Sequence, residues 1–166
     1  MSEVAVNSVV KSVEGAVFAG KYLTFYIGET LYGVALENIL EIIGNQEATR
    51  VPGIPAFVKG IINLRGRIVP VIDARIKIGA EEIEYDERTC IIVITWKESL
   101  VGLIVDRVAE VSDFKNDQIA TIPDFSSVNT NKYLSSICKV GERLVLILDC
   151  DKFLADDTCG AQATTL

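Results

Sequence analysis

Two stretches of this chain recur without gaps and in the same order, which restricts it to an architecture built twice. Leu31 to Ile42 aligns with Leu100 to Val111, and Phe57 to Asp73 aligns with Tyr133 to Asp149. The second alignment pairs Arg67 with Arg143 and Asp73 with Asp149. The spacer between the stretches is about seven residues longer in the second copy. One such match could arise by chance; two in the same order argue for a duplicated lobe.

Alternation and β-branched runs dominate both copies. Residues 22–27, 31–36, 67–73, 89–96, 100–105, 134–140 and 144–149 read as strands. Gly28-Glu29-Thr30 and Lys97-Glu98-Ser99 read as hairpin turns between the first two strands of each copy. Arg65-Gly66 and Gly141-Glu142 read as turns before a later strand. Helical signals are weak and confined to Ile54 to Lys59 and Asp149 to Ala155. The expected fold is all-β with short helices: a domain over 20–155, with lobe 1 at about 22–80 and lobe 2 at about 88–154. Each lobe has room for about five short strands, the size of a small closed or nearly closed barrel. A lobe of about 60 residues buries too little surface alone, so the two should pack together and leave a groove between them. Residues 1–19 read as an N-terminal tail and 156–166 as a flexible C-terminal one.

Composition narrows the function classes. A hydrophobic fraction of 49% can fill such cores, which argues against disorder. Sixteen Lys+Arg against 23 Asp+Glu give a net charge of −7, so a nucleic-acid partner is not expected. The longest apolar runs reach about half a membrane span, and Met1 to Ala5 lack a signal-peptide start, so direct membrane insertion is not expected and the cytoplasm is the expected site. Four cysteines without a C-x-x-C pair, and no histidine, argue against zinc or any other metal or cofactor. The absence of histidine also removes the commonest general base and the usual triads, and no catalytic residue is assigned. Asp73 and Asp149 end apolar strands at matched repeat positions, where capping a turn accounts for them.

The most informative stretch is Gly60-Ile-Ile-Asn-Leu-Arg-Gly-Arg-Ile-Val-Pro-Val-Ile-Asp-Ala-Arg75. A polar turn, Asn63 to Gly66, enters an apolar strand, and Pro70 lacks a ladder donor, which predicts an edge or a bulge there. This stretch resembles the signature of the CheW-like family, the coupling proteins of bacterial chemotaxis. The likeness runs from about Lys21 to Leu154 and takes in Tyr32-Gly33, Ile39 to Ile43, Pro55 to Gly60, Asn63 to Gly66, Pro70 to Asp73 and Val101 to Asp106. Ala74 departs from it, standing where the family carries leucine. The resemblance implies two SH3-like five-stranded barrels and an adaptor role without catalysis. It implies binding to the cytoplasmic tip of a methyl-accepting chemoreceptor and to the regulatory domain of a CheA-type histidine kinase, with recruitment to membrane-associated receptor arrays. The same module occurs within CheA kinases and fused to a receiver in CheV; the chain length favours the stand-alone coupler. A CheW-like coupler of a pilus-motility or gene-regulatory array is the alternative.

For the receptor, the resemblance points to Arg65, a cation in the turn facing the groove, with Asn63 and Gly66 shaping that turn. Ile39, Ile42, Val108 and Val111 hold equivalent repeat positions and are either core residues or the two walls of an apolar slot for a receptor helix. Glu41 and Glu110 would be polar rim residues. For the kinase, the candidates are Ile43, Arg50, Val51 and Pro52 on the first lobe and Asp124 and Phe125 on the second. The expected assembly in isolation is a monomer with micromolar-scale binary affinities.

Overall fold

The computed structural model describes residues 20–120 and 132–155. Eleven strands are found among them: β1 (Lys21–Ile27), β2 (Thr30–Ala35), β3 (Ile39–Gly44), β4 (Val58–Leu64), β5 (Arg67–Asp73), β6 (Cys90–Trp96), β7 (Ser99–Val105), β8 (Arg107–Asp113), β9 (Ile119–Ala120), β10 (Leu134–Val140) and β11 (Arg143–Leu148). Two short helices follow β5 and β11: α1 (Ala74–Lys77) and α2 (Cys150–Leu154). The strands form two sheets. Sheet A runs β8-β1-β2-β11-β10-β9 and sheet B runs β3-β6-β7-β5-β4.

The sheets do not follow the repeat boundaries. Each copy contributes a first hairpin, β1–β2 or β6–β7, and that hairpin completes the sheet built by the later strands of the other copy. The all-β fold of two packed lobes is as expected, and each lobe is one of these sheets, with strands drawn from both copies. The exchange obeys the internal alignment residue by residue. In sheet B, Val71 of β5 lies opposite Gly102 of β7 in parallel; in sheet A, Ile147 of β11 lies opposite Gly33 of β2. Likewise Ile39 opposes Ile94 and Val108 opposes Phe25. The two halves are thus related by a pseudo-twofold that swaps hairpins.

Side-chain alternation sorts the apolar residues into three cores. Ile62, Val69, Val71, Ile91, Val93, Leu100 and Ile104 pack together from sheet B alone, so that sheet curls around its own centre. Leu31, Cys138, Val145 and Ile147 do the same for sheet A, joined by Phe114. The opposite faces of both sheets meet in a larger shared core that includes Phe25, Val34, Ile92, Leu103, Phe153 and Leu154. The packing of the two lobes expected from their small size is this shared core.

The tightness of the curl selects glycine. A Cβ on Gly33 would meet Ile147 Cδ1 at 2.8 Å, and one on Gly102 would meet Ile91 Cγ2 at 2.8 Å. Gly60 is more constrained still. Its φ is 142°, and a Cβ there would lie 2.2 Å from the Thr49 carbonyl oxygen. The Thr49 backbone crosses β4 at this point through paired bonds, Thr49 N to Ile61 O at 2.8 Å and Ile61 N to Thr49 O at 2.9 Å. This bridge joins the segment after β3 to β4, the two outer strands of sheet B, and draws that sheet towards closure.

Both helices are capped as their aspartates predict. Asp73 accepts from the Arg75 and Ile76 amides, and Asp149 accepts from the Lys152 amide. Each also repeats one backbone bond, Asp73 N to Phe57 O and Asp149 N to Tyr133 O. The pseudo-symmetry breaks at Lys77, which occupies the place of Phe153. Its buried ammonium lies 4.1 Å from the Phe57 ring centroid and also faces Tyr133 and Phe153.

Three local expectations are corrected. Ile54 to Lys59 is not helical: Val58 N bonds Pro55 O in a turn, and β4 starts at Val58. The α1 helix was not expected there or elsewhere in the first copy. Pro70 is not on an edge strand, since β5 lies between β4 and β7; pairing with β7 begins at Val71, so the missing N–H of Pro70 falls just outside that ladder.

Gly60→Ala should lower stability by at least about 2 kcal/mol, because backbone strain and a backbone collision coincide. Gly44→Ala, at a site with no atom within 4 Å, should stay within about 0.5 kcal/mol. Urea midpoints at constant m-value measure both.

Candidate functional site

The turn joining β4 to β5 is a two-residue hairpin loop. Arg65 (φ 52°) and Gly66 (φ 87°) both hold left-handed backbone, as a type I′ turn requires. Arg65 is a non-glycine residue in that conformation, so a modest strain is retained at this position. Asn63 stabilises the loop: its Oδ1 accepts from the Gly66 amide at 2.8 Å. Asn63 and Gly66 thus shape the turn, as expected from their residue types.

The loop carries Arg65 across to β3. Its Nη1 and Nη2 donate to the two carboxylate oxygens of Glu41 at 2.6 and 2.8 Å. The pair connects the β4–β5 turn with the opposite outer strand of sheet B, on the seam that Thr49 bridges. The arginine side chain remains 76% exposed and the glutamate 15% exposed. Glu41 therefore fixes the guanidinium in one orientation and leaves its remaining N–H donors open to a partner. Sequence reasoning placed Arg65 in a turn facing the groove and Glu41 on its rim but did not pair them; they are 24 residues apart and meet only through the curl of the sheet.

The apolar slot is not open. Ile39, Ile42 and Val108 are buried in the shared core, and Val111 packs partly buried against it. The cause is a pair of equivalent register shifts. One lies between Ile39 and Glu41 in β3, the other between Leu23 and Phe25 opposite β8. The shift turns both Ile39 and Ile42 inward and leaves Leu40 outside as the exposed apolar residue of β3. The recurrence of these positions in the repeat reflects the core, not a groove wall. Glu110 is exposed, and its backbone is tied to the Thr24 hydroxyl.

Among the kinase candidates, Ile43 is half-buried against the sheet B core. Arg50 and Pro52 are exposed and Val51 half-buried, and all three border a pocket of about 380 Å³ that runs from Arg50 to Ala56. Beside it lies a cleft of about 720 Å³ bounded by Asn45 to Arg50, Lys59, Tyr85 and Ile104. Tyr85 belongs to the acidic connection between the two copies. It reaches back so that its hydroxyl donates to Asp73 Oδ2 at 2.6 Å, while Lys59 holds Glu82 at 2.6 Å. Burial and the bond to Asp73 keep the Tyr85 phenol protonated far above its usual range. Asp124 and Phe125 lie outside the described residues.

No group of three or more metal-ligating side chains occurs among the described residues. Burial raises the thiol pKa values of the buried Cys90 and Cys138, and pushes that of the half-buried Cys150 up to about 11, which disfavours the reactive thiolate at all three. None of the helices described is long and apolar enough to cross a membrane.

A model of the CheW-like domain matches residues 21–158. The chain is 34% identical over 148 residues to a chemotaxis protein CheW of Klebsiella aerogenes, covering 89% of each protein. It is 34% identical over 152 residues to a chemotaxis protein CheW of Thermotoga maritima, covering 89% of this chain and 96% of that one. The crystal structure of the scaffolding protein TtCheW from Thermoanaerobacter tengcongensis superposes with a TM-score of 0.77 at 29% identity, over 84% of this chain and 94% of that one.

An exposed ion pair adds little to stability, so Arg65→Ala and Glu41→Ala should each change unfolding free energy by less than about 1 kcal/mol in a denaturant titration. For Tyr85 the folded pKa is raised, so its contribution is complete below the unfolded value near 10 and is lost as pH rises above it. Tyr85→Phe should accordingly flatten the loss of stability above about pH 10 in thermal melts.

Proposed function

The chain belongs to the CheW-like family of chemotaxis scaffold proteins and is an adaptor rather than an enzyme; from that premise we propose that it couples chemoreceptors to a CheA-type histidine kinase. The observation that carries this reading is the pre-oriented Arg65 guanidinium on the β4–β5 turn, held by Glu41 yet open to solvent. A charged fork fixed before binding loses little side-chain entropy on contact and can donate to carboxylates or carbonyls of a receptor tip. The kinase surface in this reading is the neighbouring turn of Arg50, Val51 and Pro52, where exposed proline and partly exposed valine border a pocket.

Coupling then acts by scaffolding. The adaptor holds receptor and kinase together, and the geometry it imposes transmits a receptor change to the kinase. Each contact can be weak singly, because an array multiplies weak contacts through effective concentration. Membrane association in this reading comes from the receptors that recruit it.

The test is reconstitution of the chain with a CheA-type kinase and a receptor cytoplasmic fragment on vesicles, with kinase autophosphorylation as readout. Wild type should raise kinase activity only when receptor is present. Arg65→Glu, which sets a like charge against Glu41, should reduce that activation at least about ten-fold while kinase binding persists. Val51→Glu should instead weaken kinase binding. A wild-type chain that binds neither protein defeats the coupling reading for these partners.

A further inference from the structure

Sheet A carries a cationic group at the ends of β1, β8 and β11 that sheet B lacks. The Arg107 guanidinium lies over the Tyr26 ring, 4.0 Å from its centroid. From the opposite side, Arg143 Nη2 donates to the Tyr26 hydroxyl. Both arginines are exposed, and neither forms an ion pair among the described residues. Asp106, the acid next to Arg107 in the chain, is already engaged by Arg75 at 2.9 Å and by the Gly28 amide at 2.6 Å. Apolar surface adjoins the cations: Val140, paired with Arg143 across the hairpin and so on the same face of the sheet, is 38% exposed.

The repeat supplies an internal control. The places of Tyr26, Arg107 and Arg143 are taken in sheet B by Thr95, Asn38 and Arg67. A lobe of this design therefore closes without a tyrosine clamped between two arginines. The group also bridges three strands drawn from both halves of the chain, so it exists only in the exchanged fold.

We propose that Tyr26, Arg107, Arg143 and Val140 form a docking surface for an acidic protein segment that carries an apolar side chain. The tyrosine holds two guanidinium groups ready for carboxylates, and Val140 offers the apolar contact beside them. A polyanion fits less well. Nucleic acid and anionic lipid surfaces gain from a broad basic field, whereas this site has two free cations on a chain of net charge −7. The surface is distinct from the Arg65 turn: Arg143 follows the β10–β11 turn, which is the repeat counterpart of the β4–β5 turn. An adaptor of this form presents chemically different faces at pseudo-equivalent places.

The experiment is an amide NMR titration of the full chain with the synthetic peptide Glu-Glu-Leu-Glu-Glu, and in parallel with Lys-Lys-Leu-Lys-Lys and with inorganic phosphate. The acidic peptide should give saturable shifts at Tyr26, Arg107, Val140 and Arg143, weakened at least about ten-fold by Arg107→Glu with Arg143→Glu. Should that double variant fail to fold, Arg107→Gln with Arg143→Gln keeps the size and removes the charge, and the same weakening is expected. Val140→Ser should lower affinity for the leucine-containing peptide more than for Glu-Glu-Ser-Glu-Glu. The proposal is overturned if the acidic peptide leaves these amides unmoved, if the arginine variants bind it unchanged, or if phosphate reproduces the shifts. The readout requires neither kinase nor receptor, so its failure is separate from a failure of the coupling reading.

Discussion

The parallel pairing of β5 with β7 and of β11 with β2 is the constraint on which the rest of the molecule rests. Each contact joins the last strand of one copy to the first hairpin of the other. Without them sheet A would divide between β2 and β11, and sheet B between β7 and β5. The two helices extend these connections: α1, which follows β5, packs against β7 of the same sheet, and α2, which follows β11 of sheet A, packs against β6 of sheet B. Arg75 of α1 reaches Asp106 beyond β7, and Asp151 of α2 accepts from the Trp96 indole at the end of β6. Two lobes held in this way cannot separate by bending a linker. Their separation would require breaking strand ladders and opening the shared core together.

Most of the strand inventory was legible, and the failures have local causes. The predicted hairpins β1–β2, β6–β7 and β10–β11 alternate cleanly, so period and turn residues agreed. β3 and β8 were not read as strands because a register shift interrupts each of their pairings and breaks the period of two that identifies a half-buried strand. β4 was obscured by Gly60, whose lack of a side chain serves the Thr49 crossing rather than a turn. Pro52 and Pro55 suggested a helix start at a place where their fixed backbone makes turns instead. The exchange itself was hidden, since the alignment specifies which residues are equivalent but not which copy each hairpin joins.

The candidate surface residues divide along the same line. Arg65, Asn63 and Gly66 lie within one short turn, and their local roles follow from residue type and spacing. The buried Ile39, Ile42 and Val108 had a pattern equally suited to a core and to a groove, and only the register decides between them. Glu41 with Arg65, and Tyr26 with Arg107 and Arg143, are assembled from strands distant in sequence. No spacing rule signals such groups. The pairing is visible only after the curl and the exchange are in place.

That dependence ties both side-chain groups to the shape of the sheets that carry them. The Arg65–Glu41 pair sits on the seam of sheet B, and the Arg107–Tyr26–Arg143 group joins three strands of sheet A. Each is thus sensitive to the shape of its own sheet, and the shared core fixes one sheet relative to the other. A partner pulling on one surface strains ladders that continue into the second sheet through α1, α2 and their contacts. Flexible lobes would dissipate such a displacement as hinge motion, whereas packed interiors have few soft modes and pass strain on. Exchange of hairpins is therefore more than a way to stabilise two small cores. It converts a duplicated domain into a rigid spacer whose faces, related by symmetry but different in chemistry, keep a fixed mutual orientation.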